Sequence, residues 1–149
     1  MPEINLTQKE ADRLIAVQKT IVPQVRRIDV PSPSQHIHIP VKSVDKKEEF
    51  IIDFSRKSIK IQKTTKQLRL REVVILLRLD INAAPHRNPD NTELENSHLH
   101  VYREGFSDKY AIDVPKDKFS DIDNLEQTFI DFLEYCNIEK IPPMQLSII

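Results

Sequence analysis

The chain has 149 residues, 39% hydrophobic and 30% charged, the make-up of a single soluble globular domain over residues 1–149, with one core and no room for two. Its longest apolar run, Val73–Leu77, falls far short of the ~20 residues of a membrane helix, and the opening Met1-Pro2-Glu3-Ile4 has no leader pattern. A net charge of −1 hides an asymmetry: Arg56, Lys57, Lys60, Lys63, Lys66, Arg69 and Arg71 follow one another without an acid, while acids dominate from Glu104 onward.

In chain order, Thr7-Gln-Lys-Glu10 predicts a capping box, and Ala11, Leu14, Ile15 and Gln18 follow at helical spacing, so a helix is expected over about residues 8–19. Pro23, Pro31 and Pro33 make the next stretch extended or looped. His36-Ile-His-Ile39 alternates and reads as an edge strand bearing two exposed histidines; Phe50–Phe54 is a short apolar strand. Lys57–Lys63 alternates around Ile59 and Ile61, and Leu68–Leu79, nearly all apolar and β-branched at Val73-Val74-Ile75, reads as one strand buried on both faces. His98–Arg103 and Tyr110–Val114 complete the strands, joined by a hairpin link containing the only glycine, Gly105. With one Gly and ten Pro, turns that need φ > 0 fall to Asn or Asp. Asn124 caps a last amphipathic helix through Leu125, Phe129, Phe132, Leu133 and Cys136. A lone cysteine on an apolar helical face reads as a buried, inert thiol, and with no disulfide possible the expected compartment is the reducing cytoplasm. The fold class expected is therefore α+β: a mostly antiparallel sheet of five or six strands with an N-terminal and a C-terminal amphipathic helix. The apolar tail from Ile141 onward either packs back on the domain or meets a partner.

Function is expected between Arg78 and Glu104. Arg78, Asp80 and Asn82 alternate at a strand end, a long loop carries Pro85 and His86, and the chain returns with His98, His100, Tyr102 and Glu104 on one face. Histidine exchanges protons near neutral pH and Arg grips phosphoryl oxygens, so His86, His98 and His100 are acid–base candidates, with Arg78 and Arg103 near phosphate and Glu104 orienting a histidine. Two other uses of the same residues stay open: His-x-His with His86 or an acid around a metal ion, and a hydrogen-bonded network of Arg78, Asp80 and histidine that pins the loop. Asp80, Asn82, Tyr102 and Gly105 are assigned structural roles. The basic series from Arg56 to Arg71, together with Arg103, is the candidate nucleic-acid grip. The chain contains no Gly-rich phosphate loop, CxxC pair or Ser elbow, so no cofactor is expected and no metal is assigned.

Arg78-Leu-Asp-Ile-Asn-Ala-Ala-Pro-His-Arg-Asn-Pro89 with Ser97-His-Leu-His-Val-Tyr-Arg-Glu-Gly105 resembles the signature of a bacterial and prophage family of unknown function, over nearly the whole chain. More loosely, Arg78, Asp80, Asn82, Pro85, His86, His98 and His100 follow the order of groups in TumE-type toxins of toxin–antitoxin pairs. Ile81 is inserted between Asp and Asn, and the doubled His after Pro is missing. That likeness implies a small toxin or defence protein acting on RNA or translation and held by a cognate protein partner. The expectation is a toxin-like ribonuclease, with a non-catalytic binding module of phage or defence origin as the alternative; no membrane partner is expected.

Overall fold

Thr7 Oγ1 accepts from the Glu10 amide at 3.1 Å, and Glu10 Oε1 accepts from the Thr7 amide at 3.3 Å, closing the expected capping box and starting helix α1, Gln8–Ala16. The computed structural model describes residues 5–57 and 63–146. After α1 come β1 (Lys19–Ile21), β2 (Ile28–Val30), β3 (His36–Ser43), β4 (Glu49–Arg56), β5 (Thr64–Leu70), β6 (Val74–Ile81), β7 (His86–Arg87), β8 (Glu93–Leu94), β9 (His98–Val101) and β10 (Ala111–Asp113). Helix α2 (Leu125–Tyr135), capped by Asn124, then leads to β11 (Ile138–Glu139) and β12 (Met144–Leu146). None of the helices described is long and apolar enough to cross a membrane.

The fold is α+β, with a main sheet of eight strands in the order β10-β9-β6-β5-β4-β3-β1-β11. All neighbours are antiparallel except β1 and β11, which run parallel. Five or six strands were expected; the extra ones are two or three residues long, too short to show a period of two. The expected strand Leu68–Leu79 is a hairpin. Arg71 takes a left-handed φ of 59°, Val73 is exposed, and the chain doubles back so that Leu68 faces Leu77. An apolar run hid the turn because an Arg, a Glu and a Val make it with no Gly or Asn. The expected strand Lys57–Lys63 falls mostly on residues 58–62, outside those described. The apolar tail packs back: β12 pairs in parallel with β2.

One sheet face is the core. Phe50, Ile52, Phe54, Leu68, Leu77, Leu79 and Leu99 are buried together with Ala11 and Leu14 of α1 and Phe129, Phe132 and Leu133 of α2. Phe54 and Phe129 stack with ring centres 4.5 Å apart, and each such side chain removed from water contributes about 1.5–3 kcal/mol. Cys136 is fully buried there, and burial pushes its thiol up to about 12, so it is inert at neutral pH. Lys66 interrupts this apolar face. It is 1% exposed, gives its Nζ to Thr64 Oγ1 at 2.6 Å and lies 5.0 Å from the Phe54 ring centre.

Candidate functional site

On the opposite face the same strands carry polar groups, because side chains alternate and the register is continuous. His38, Asp53, Gln67, Arg78 and His100 form one row across β3, β4, β5, β6 and β9; His36, Ser55, Thr65, Asp80 and His98 form the next. Between them opens a cleft of about 570 Å³ whose walls include Ser55, Thr65, Gln67, Arg78, Asp80, His86, His98 and His100.

The β6–β9 pairing builds the cleft's most ordered corner. His98 Nδ1 donates to the Glu95 carbonyl at 2.9 Å and His100 Nδ1 to the Asp108 carbonyl at 2.7 Å. Both Nε2 atoms therefore face Asp80 Oδ2, at 3.4 Å from His98 and 3.3 Å from His100. Arg78 completes the corner: one guanidinium nitrogen stands 3.1 Å from His100 Nε2 and donates to it whenever that nitrogen carries a lone pair. The Asp80 carboxylate holds His98 above the ordinary histidine range, against burial, which acts to lower it. Burial alone would raise Asp80, but contacts with His100 and His98 and the Arg78 charge outweigh it and keep the carboxylate far below its usual range. Arg78 is itself held by Asp108 at 2.8 Å, while its Nε stands 3.4 Å from Asp80 without a hydrogen bond.

The loop expected to lack strands is a flap built as a small hairpin, β7–β8. It brings His86 to the site, with ring centres 4.6 Å from His100 and 5.4 Å from His98. His86 Nε2 donates to the Lys109 carbonyl at 2.8 Å. The flap is fastened by Asn88, whose buried amide imitates a strand: it donates to the Ala111 carbonyl at 3.0 Å and accepts from the Ala111 amide at 2.8 Å. Asn88→Ala leaves both groups of Ala111 without those partners. It is expected to cost about 1–3 kcal/mol and to open the β7–β8 segment to limited proteolysis faster than in the parent; equal cutting rates would refute this anchor.

Of the other residues singled out in sequence, several stand elsewhere. Strand β9 stops at Val101, so Tyr102 turns into the core, where its hydroxyl accepts from the Leu6 amide at 2.9 Å and donates to the Leu6 carbonyl at 3.1 Å. Glu104 accepts from the Gln8 amide at 2.7 Å and serves the start of α1. Gly105 takes φ 83° in the turn between Arg103 and Ser107, and Arg103 lies over the Tyr110 ring, 4.3 Å from its centre. Asn82, at φ 55°, ends β6 and gives its amide to Ser97 Oγ at 3.1 Å. Among the basic series, Lys57 and Lys63 border the cleft. Lys66 lies on the core face, Arg69 is engaged by Asp53 (2.5 and 2.9 Å), Arg56 donates to the Pro31 carbonyl and Arg71 makes a turn. Lys60 falls outside the described residues.

Sequence reasoning missed Asp53 and Asp108, whose relevance depends on pairings 30 or fewer residues away that no local pattern shows. It placed His36 and His38 on a sheet edge but without their acidic partner. Strand β1 pairs only with residues 41–43 of β3, so the stretch with His36 and His38 is indeed a local edge beside β4, and His38 Nδ1 meets the Asp53 carboxylate.

Nitrogens of His86, His98 and His100 lie within 4.8 Å of one another, so these three are the residues that could hold a transition metal. The Arg78 guanidinium, 3.1 Å from His100 Nε2, places a fixed positive charge beside that cluster. A model described as a family of unknown function matches residues 6–138. No curated protein and no solved structure matches the chain.

Proposed function

The chain belongs to that family, DUF6978, and from the chemistry of its cleft we propose that it cleaves RNA by general acid–base catalysis without a metal, as a small toxin-like ribonuclease. The observation that carries this reading is the corner around Asp80: the carboxylate faces the Nε2 atoms of both histidines, and an arginine stands at the Nε2 of one of them. An RNA phosphate entering the cleft draws the Arg78 guanidinium onto its oxygens and frees His100 Nε2. His100 Nε2 takes the proton of the ribose 2′-hydroxyl. The 2′-oxygen bonds to phosphorus as the bond to the 5′-oxygen breaks, and His98 Nε2 gives its proton to that leaving oxygen. The products are a 2′,3′-cyclic phosphate and a free 5′-hydroxyl, and a second proton exchange resets the pair. His86 closes the site from the flap.

The test is incubation of the purified protein with end-labelled single-stranded RNA in excess chelator between pH 5 and 9. Cleavage giving 2′,3′-cyclic phosphate ends is expected. The rate falls as pH rises through the elevated His98 value, since the acid is lost above it. Intact RNA at every pH, or cleavage only on adding a divalent ion, would overturn the proposal.

A further inference from the structure

The sheet carries the His98/His100 arrangement a second time. His36 and His38 stand two apart on one strand, their ring centres 4.9 Å apart. Asp53 lies on the neighbouring strand directly opposite His38, and Arg69 grips that carboxylate. Asp53 is 4% exposed and spends every oxygen: Arg69 and Gln67 on Oδ2, Arg69 and His38 on Oδ1. Core packing does not account for a charged network on this face, because the core lies on the other side of the sheet. What the network achieves is orientation. Asp53 fixes His38 Nδ1, and the side chain, 55% exposed, turns its Nε2 outward.

The two histidine pairs are ends of the same two rows, separated by four interstrand steps of about 4.8 Å, or about 19 Å. The floor between them is polar rather than apolar: Ser55, Thr65 and Gln67, the paired Asp53, Arg78 and Asp80, and Lys57 and Lys63 at the border. We infer that these rows are one groove for a single strand of RNA of at least about four nucleotides, cut at the His98/His100 end and held by a phosphate at the His36/His38 end. At that far end a phosphate oxygen meets His38 Nε2 while Asp53 compensates charge on the ring, a charge-assisted hydrogen bond of the kind that positions nucleic acid without reading its sequence. The inference rests on the ribonuclease reading for its scissile end only; the groove itself is a statement about binding.

Binding and cutting are therefore measured apart. The full chain is titrated into fluorescein-labelled oligouridylates of two, four and eight nucleotides at several salt concentrations, at a pH where no cleavage occurs or with 2′-deoxy residues. Affinity is expected to rise at least tenfold from two to four nucleotides and little beyond eight. A His36→Ala/His38→Ala variant should weaken the octanucleotide about tenfold. A Lys57→Ala/Lys63→Ala variant, altered only at exposed positions, should lower the salt dependence by about one per lysine. Equal affinity for two and eight nucleotides, or an octanucleotide bound by both variants as by the parent, overturns the groove. So does failure of all three oligouridylates to bind. An octanucleotide bound tightly but never cut leaves the groove standing and removes the ribonuclease reading; a cut dinucleotide with length-independent affinity does the reverse.

Discussion

Replacing Asp80 by Asn is expected to reduce RNA cleavage by about a hundred- to ten-thousand-fold, the usual range for losing a positioned proton donor. The substitution keeps the volume and removes the charge. His98 owes its proton first of all to the Asp80 carboxylate, and the remaining influences include burial and the Arg78 charge, both of which favour the neutral ring. In the variant His98 therefore sheds its proton at lower pH, the acid needed at the leaving oxygen becomes scarce near neutrality, and the rate maximum moves to more acidic pH. A purely structural Asp80 would change stability without moving the pH profile, so the profile is the deciding measurement. If Asp80→Asn cuts RNA within twofold of the parent and with an unshifted profile, the acid–base assignment is wrong. Loss of substrate binding is checked in the same series: KM should not rise, because Asp80 opposes a phosphate rather than attracting one.

A second large effect is expected where no chemistry is proposed. Burial lowers Lys66 to about 7, partly offset by the Asp80 charge. The unfolded chain holds a proton on this lysine up to its ordinary value of 10.5, whereas the folded chain gives it up above about 7. Between those values the unfolded state binds more protons, so stability rises with pH across the window, and below about pH 7 the full cost of a buried ammonium is present. Lys66→Met removes a charge from beside Phe54 while filling similar space. It is expected to stabilise the protein by about 2–4 kcal/mol at pH 6, after loss of the Thr64 hydrogen bond and the ring contact. The gain should shrink by pH 9. Urea unfolding of both proteins at the two pH values measures it, and a Met variant less stable than the parent at pH 6 would contradict the account.

How far the sequence reveals this molecule depends on the distance over which each feature is made. The capping box at Thr7 and Glu10, the Asn124 cap and the apolar stripe of α2 are local, and they are where the pattern puts them. The alternation of His98 and His100 against Leu99 is also local, and it fixes which face meets Arg78 and Asp80 once β6 and β9 pair. The turn at Arg71 escaped because a left-handed residue there is neither Gly nor Asn; Ser34, Lys46, Ser107 and Lys140 adopt similar values. Carbonyls from Glu95 and Asp108 set the histidine tautomers, and a backbone oxygen has no letter in the sequence. Asp53 needed the register of three strands before it could be joined to His38 and Arg69.

The parallel pairing of β1 with β11 also sets an order of events. Lys19 joins Ile138, and Ile28 joins Met144, whereas the strands under the cleft pair with one another within residues 36–113, and β3 with β1 before them. A chain emerging from the ribosome can lay down the meander that bears the histidines while α2, β11 and β12 are still being made. At that stage Phe54, Leu68 and Leu79 lack the cover of Phe129 and Phe132. The polar face can thus form on a scaffold whose reverse is still bare, and the last sixth of the chain, α2 onward, then covers it.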